Sequence, residues 1–202
     1  MVDGRALRWA GHREQRRAEF VEAALVVIER DGPNATVDAI AGERGVSRQA
    51  LYRQFDDRVD LDRAIAQRAA DDLVLALLPA LVVRGDVATS VRASLVAYLD
   101  HVQAHLSLYR FVRSHEADVV EHVKDSIAVR VATVAHDYVV QSGLVPEDFE
   151  KTFAIGVVGL ADAVIQHWLD DPGVVTQAEL VERLVLMVVG LVFAVLPTLR
   201  DR

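Results

Sequence analysis

Four polar side chains near position 50 have chemistry that suits a DNA duplex. They share one face of a helix predicted over residues 48–55, and they are Arg48, Gln49, Tyr52 and Arg53. In the major groove, arginine hydrogen-bonds to guanine and glutamine to adenine, while a tyrosine hydroxyl can reach a phosphate. This face is therefore predicted to bind double-stranded DNA.

The elements that must hold this face are two short helices and the joint between them. Residues 37–44 and 48–55 are predicted to be helical, and Gly45 supplies the left-handed backbone that a tight joint needs. Thr36 and Ser47 precede the two helices as N-caps, and Thr36 can also bind a phosphate. This order predicts a helix-turn-helix whose second helix faces outward.

A longer helix, predicted over residues 12–30, supports this pair. Its apolar residues recur at spacings of three and four. Ile40, Val46 and Leu51 are spaced to share a core with it, so residues 1–57 are predicted to form the DNA-binding domain. A basic arm, either disordered or lying along DNA, contains Arg5, Arg8, Arg13, Arg16 and Arg17.

Composition limits the remaining possibilities. The 202 residues are 52% hydrophobic and contain no cysteine, which excludes a disulfide scaffold and a zinc finger. No apolar segment suits a signal peptide, and the uncharged run 184–196 is too short to span a bilayer. The protein is predicted to be soluble and cytoplasmic, with no membrane partner. The net charge of −8 means that any DNA-binding surface is a short basic spot rather than a broad one.

Residues 58–202 are predicted to form a second helical domain. The sequence has no long run of alternating apolar and polar residues that would indicate a sheet. The predicted fold class is therefore all-α, with about nine helices. Beyond the first three, helices are predicted at residues 59–78, 88–104, 106–115, 118–141, 146–169 and 177–196.

The last two predicted helices, near 147–169 and 177–196, are apolar on more than one side. A soluble chain must cover such surface, either with its own domain or with a partner. Gly156, Gly159 and Gly190 would allow close helix contact. We expect the two helices to form a homodimer through a four-helix bundle; the alternative is that both are interior helices of a monomer.

The helices between these two regions are expected to enclose a pocket for a largely hydrophobic small molecule. The candidate lining residues are mostly aromatic or apolar, although the same side chains at helical spacing can be plain core. They are Tyr98, Val102, His105, Tyr109, Phe111, Tyr138, Phe153, Val157 and Trp168.

Metal and catalytic sites are not expected. His101 and His105 stand four residues apart and could share a metal, but no third ligand has a recognised spacing to them. The sequence has no GxSxG, P-loop, dinucleotide-binding glycine pattern or HExxH. We therefore predict no metal, no cofactor and no enzymatic activity.

The stretch from the first predicted helix to Leu61 resembles the TetR family of transcriptional regulators. The resemblance rests on Thr36, Ile40-Ala41, Gly45-Val46-Ser47-Arg48, Leu51-Tyr52, Phe55, Arg58 and Leu61, in that order. It implies a homodimeric, ligand-controlled regulator, usually a repressor, that binds a palindromic operator and is released by its effector. It also implies that Thr36, Ser47, Arg48, Tyr52 and Arg58 lie on DNA.

Two positions depart from the family's pattern, and two other functions stay open. The family often has lysine at the position of Arg58 and threonine at that of Ala50. The first alternative function is a helical small-molecule-binding protein or enzyme whose helix-turn-helix no longer binds DNA. The second is an activator, or a regulator that binds DNA only with its ligand.

Overall fold

The structure, a computed structural model, is helical over nearly all of the residues it describes. It describes the backbone of 4–81, 86–115, 117–140 and 149–195, and the side chains of that part from Arg13 onward except 134–135, 137–140 and 195. The predicted all-α class is confirmed. In the described part the helices are α1 Gly4–Asp31, α2 Val37–Glu43, α3 Arg48–Tyr52, α4 Arg58–Leu77, α5 Val87–Ala104, α6 Leu106–His115, α7 Ala117–Val140, α8 Phe149–Asp170 and α9 Gln177–Val195.

Two predicted helix boundaries were wrong by more than a residue or two. The first helix begins at Gly4, well before residue 12. The third ends at Tyr52 rather than at residue 55, because the Gln54 N–H turns back to the Leu51 carbonyl at 2.8 Å and Phe55 is buried beyond that turn. The predicted start of α8 at residue 146 lies outside the described residues.

The joint between α2 and α3 is a glycine-dependent helix end. Gly45 has a φ of 65°, and its N–H donates to the Gly42 carbonyl at 2.9 Å. The Val46 N–H donates to the Ala41 carbonyl at 3.0 Å. These two bonds form a Schellman motif, which needs a left-handed residue at the glycine position. Gly45 thus has the left-handed backbone conformation that the sequence predicts.

The core under this joint differs from prediction at one position. Ile40 and Leu51 are fully buried, and the rings of Phe20 and Phe55 meet edge to face at 6.3 Å. Val46 was expected to join them, but it is 39% exposed. It follows the left-handed glycine, so its N–H points back to α2 while its side chain turns toward solvent.

By contacts, the chain divides into two compact units. Unit 1 holds α1 to α3, α4 up to Asp72, α6 and the start of α7. Unit 2 holds the end of α4, most of α5, the rest of α7, and α8 and α9. The functional boundary at residue 57 stays a prediction, since it concerns which residues bind DNA and which bind ligand.

Unit 2 has an apolar core built mainly from α5, α8 and α9. Its buried members are Leu95, Leu99, Ile165, Leu180, Val181, Leu184 and Val185. A smaller cluster joins α7 to α8 through Ala128, Ala154 and Val158. One ion pair, in which Arg92 donates two hydrogen bonds of 2.7 and 2.8 Å to the Glu182 carboxylate, links α5 to α9 at the surface.

Candidate nucleic-acid interface

The four side chains that the sequence assigned to DNA reading lie together on α3 and its C-cap. Arg48, Gln49 and Arg53 are exposed, and Tyr52 is half-buried. The Arg48 guanidinium carbon lies 5.5 Å from the centroid of the Tyr52 ring, a distance typical of a cation–π contact. The face therefore presents an exposed arginine beside an aromatic ring that carries a hydroxyl group.

An acidic residue stands beside this face. The Asp38 carboxylate, in the first turn of α2, is 3.6 Å from a terminal nitrogen of Arg48. Both side chains are largely exposed, so the ion pair adds little to stability. In this arrangement the guanidinium lies close to both Asp38 of α2 and the Tyr52 ring.

Two hydroxyl groups cap the helices of the pair. The Thr36 hydroxyl oxygen accepts a hydrogen bond from the Ala39 N–H at 3.2 Å. The Ser47 hydroxyl oxygen accepts one from the Ala50 N–H at 3.3 Å. Each hydroxyl keeps its own hydrogen as a donor, so a capping role and a phosphate contact are compatible.

Substitutions at Ser47 separate these two roles. Ser47→Ala removes the cap and is expected to lower the free energy of unfolding by about 1 kcal/mol. Ser47→Asp keeps a capping oxygen, so stability should stay near that of the parent while operator binding weakens through repulsion from phosphate. Thermal unfolding and fluorescence anisotropy measure the two effects. An aspartate variant that binds as tightly as the parent would exclude Ser47 from the interface.

The Arg58 side chain makes its hydrogen bonds to groups of the protein itself. Its Nε donates to both oxygens of Asp62 at 2.7 and 2.8 Å, and its two terminal nitrogens donate to the Ala35 carbonyl at 3.2 Å each. Asp62 is only 6% exposed. The sequence predicts Arg58 as a DNA contact and misses this internal role; the four-residue spacing to Asp62 was the one available signal.

Arg17 is engaged in a similar way. Its terminal nitrogens donate to both oxygens of Asp60 at 2.8 Å, and one of them donates to the Gln54 carbonyl at 2.6 Å. Its guanidinium also lies 4.2 Å from the centroid of the Phe55 ring. The sequence placed Arg17 in a basic arm, but it links α1 to α4.

The remainder of that arm is only partly described. Arg13 and Arg16 are exposed on α1. The side chains of Arg5 and Arg8 lie outside the described residues. A contact between this arm and DNA stays a prediction.

The ion pair between Arg17 and Asp60 should make the fold sensitive to acid. The hydrogen bond from Arg17 is the main reason why the pKa of Asp60 is lowered to about 2. A lowered pKa means that the stabilisation is present above about pH 4 and is lost as the pH falls toward 2. We expect Asp60→Asn to remove about 1 kcal/mol of this acid dependence, after allowance for solvent screening.

Urea unfolding between pH 2 and 6 measures this change. Asp71→Asn is the matched control, because Asp71 is an exposed carboxylate on the same helix and bonds only to Gln67 among the contacts described. The control should retain the parent's acid dependence. An Asp60→Asn variant with the parent's full pH profile would contradict the assignment.

The residues predicted to line a ligand pocket are divided between the two units. In unit 1, His105 is exposed with its Nδ1 2.8 Å from the Glu29 carboxylate, and Phe111 is buried and stacked on His115 at 4.6 Å. Tyr109 is half-buried, with the Arg113 guanidinium 5.6 Å from its ring centroid.

The unit 2 candidates are partly core residues. Tyr98 and Trp168 pack against the α5–α8–α9 core, and the Trp168 Nε1–H donates to the Val175 carbonyl at 2.7 Å. Val102 is buried, and Phe153 and Val157 are half-buried. The side chain of Tyr138 lies outside the described residues. The pocket itself stays a prediction.

Helices α8 and α9 expose apolar surface. On α8, Ile155 is 51% exposed, and Gly156 and Gly159 are exposed beside it. On α9, Leu186 is 74% exposed. Other exposed residues of α9 are Met187, Gly190, Leu191 and Ala194. Among the described helices, α8 is also the one whose length and hydropathy would suffice to cross a membrane.

The glycines on this surface have open space around them in the described part of the chain. Among the residues that the structure describes, none has an atom within 4 Å of a Cβ added at Gly156, Gly159 or Gly190, leaving aside each glycine's chain neighbours and its own helix backbone. Small residues in such a position suit the close approach of another helix. We call the exposed apolar residues of α8 and α9 the α8–α9 face.

Comparison with known proteins gives a consistent result. The family model for bacterial regulatory proteins of the tetR family matches residues 20–69, which include all of α2 and α3. An uncharacterized HTH-type transcriptional regulator of Mycobacterium tuberculosis, Rv0472c, is 30% identical over 191 residues, covering 92% of this chain and 81% of that protein.

A second relative and a solved structure extend the comparison. The HTH-type transcriptional activator FasR of Mycolicibacterium smegmatis is 28% identical over 165 residues, covering 79% of this chain and 74% of FasR. The crystal structure of a tetR-family transcriptional regulator from Streptomyces coelicolor has a TM-score of 0.71 at 23% identity, covering 88% of this chain and 83% of that one. At this identity the structural match concerns the fold.

Proposed function

We propose that this chain, which belongs to the TetR family of bacterial regulatory proteins, binds a palindromic operator as a homodimer and is controlled by a small apolar effector. It is a DNA-binding transcriptional regulator and not an enzyme. The proposal concerns the finer points: the contacts, the dimer, the effector and the direction of regulation.

The observation that favours these contacts is the exposed α3 face. Arg48 and Gln49 on α3, and Arg53 at its C-cap, are exposed, while the opposite side of the helix buries Leu51 completely. The side chains that can read bases therefore point away from the core that supports them. Thr36, Ser47 and Tyr52 add hydroxyl donors suited to phosphates. Arg58 differs from these residues, because its guanidinium bonds within the protein.

The α8–α9 face supports the dimer. Leucine, isoleucine and methionine side chains are exposed on these two helices, together with exposed glycines. Their contact with water is unfavourable, and a second copy of the chain would cover them. A two-fold symmetric dimer would also present two α3 faces to one duplex. We infer that a second copy, rather than lipid, covers α8, and that the protein acts in the cytoplasm.

The proposed effector is an apolar small molecule. Support comes from the aromatic and apolar side chains of unit 2, which give a suitable lining if the helices part. A ligand that prefers a different arrangement of the two α3 faces lowers operator affinity by its differential binding free energy. Thermal shift against a panel of apolar compounds tests this, and a stable protein that responds to none of them contradicts it.

Repression is the proposed direction, with activation as a second candidate. The similarity to FasR, whose name describes it as an activator, over 79% of this chain favours the second. A reporter driven by DNA from beside the gene, compared with and without this protein, separates the two. Higher expression without the protein indicates repression, and lower expression indicates activation.

The same DNA fragments test whether this chain binds DNA at all. Purified protein should bind one of them with a Kd that rises steeply with salt, because phosphate contacts release counterions. A folded protein that binds none of them more tightly than random DNA would favour the helical ligand-binding alternative.

A further inference from the structure

Hydrogen bonds from two arginines connect both outer ends of the α2–α3 pair to the start of α4. Arg58 and Arg17 have the same bonding plan, since each binds a carboxylate of α4 and a backbone carbonyl at once. The carbonyl bound by Arg58 belongs to Ala35, just before α2, and the one bound by Arg17 belongs to Gln54, just after α3.

We propose that Arg58 and Asp62 are positioning residues for operator binding, and that Arg58 acts through this clamp rather than by contacting a DNA phosphate. The clamp fixes the Ala35 carbonyl and so sets where α2 begins and how α3 is presented. The inference rests on the proposed DNA-binding function. It replaces the phosphate contact that the family resemblance implies for Arg58.

The first argument is the buried carboxylate. Asp62 is 6% exposed, and its two oxygens accept from the Arg58 Nε at 2.7 and 2.8 Å. If Arg58 swung out to a phosphate, a buried charge would lose the group that compensates it, which is strongly unfavourable. The internal bond therefore wins over an exposed ion pair with DNA, which solvent and salt screen.

The second argument is the shortness of the helices that are held. The α2 helix has seven residues and α3 has five. Helices of this length are not stable alone, so tertiary contacts decide their orientation. Thr36, the α2 cap, directly follows Ala35, and a shift of the clamped carbonyl would move this cap and the α3 face after it.

Lysine at position 58 distinguishes a clamp from a phosphate contact. Arg58→Lys keeps the charge, but an ammonium group lacks the planar fork that spans the Asp62 carboxylate and the Ala35 carbonyl. The clamp predicts an operator Kd about ten-fold weaker, with the salt slope unchanged. A phosphate contact predicts a Kd near that of the parent, because lysine also binds phosphate.

Asp62→Asn gives effects of opposite sign under the two accounts. It removes a negative charge near the duplex, so it should tighten binding if Arg58 contacts a phosphate. The clamp predicts about ten-fold weaker binding, because the neutral amide holds the guanidinium less well. Asp71→Asn is the matched control: it removes the same charge from an exposed position of α4 and should bind as the parent does, or slightly more tightly.

The readout is fluorescence anisotropy on a duplex selected by the parent protein, at several salt concentrations. Stoichiometric titration gives the active fraction of each variant, so a loss of folded protein is not read as a loss of affinity. Parent-like binding by Arg58→Lys, or tighter binding by Asp62→Asn, overturns the inference. If Asp62→Asn is unfolded at the assay temperature, the lysine variant alone decides. A parent protein that selects no duplex contradicts the proposed function instead.

Discussion

Replacing Leu186 with glutamate is expected to convert the dimer to monomers and to weaken operator binding by about 100-fold or more. Leu186 is the most exposed leucine of α9, at 74% in the single chain, and it lies on the α8–α9 face. A carboxylate there would be buried without a partner in each protomer of the proposed dimer. Because two half-sites bind together, loss of the dimer costs far more than one contact.

A matched control separates this effect from the charge itself. Val129→Glu makes a similar change at a valine of α7 that is 63% exposed and outside the face. It should remain dimeric and bind the operator. Sedimentation equilibrium and anisotropy measure both properties, and a dimeric Leu186→Glu variant with parent affinity would remove the α8–α9 face from the dimer interface.

Arg48→Ala has the second large expected effect, on sequence preference. A bidentate base contact contributes about 1–3 kcal/mol of discrimination, and a dimer makes it twice. We therefore expect an operator Kd weaker by roughly 30-fold or more, with little change on random DNA. The exposed position of Arg48 beside Tyr52 supports this role, and its ion pair with Asp38 is too exposed to affect folding greatly.

The control for Arg48 removes an arginine of the same unit that is bonded elsewhere. Arg68 lies on α4 and pairs with Glu22 at 2.8 Å and with Asp72. Arg68→Ala should change binding to operator and random DNA by the same small factor. Equal losses on both DNAs for Arg48→Ala would show that Arg48 contributes charge and not base recognition.

Much of the DNA-binding unit could be predicted because its signals are local. The N-caps at Thr36 and Ser47, the left-handed Gly45 and the buried Leu51 are each fixed by residues within one or two turns of the chain. Short-range rules of capping and periodicity are enough for these positions.

One error comes from a contact that is distant in sequence, and another from the direction of a local turn. Arg17 and its partner Asp60 lie 43 residues apart, so sequence alone does not distinguish a clamped arginine from a solvated one. Val46 looks like a core residue by type, but the turn that Gly45 makes directs it outward. The proposed ligand pocket is a different case: it depends on the arrangement of several helices, which local patterns do not fix, and it stays a prediction.

Selection of bound duplexes from a random pool, followed by sequencing, tests the central claim most directly. If two copies of the α3 face grip one duplex, the enriched sequences will share a palindrome with half-sites about one helical turn apart, and Arg48→Ala will lose preference at one position in each half. An enriched set with a single unpaired half-site, or no enrichment by a folded protein, would contradict the account.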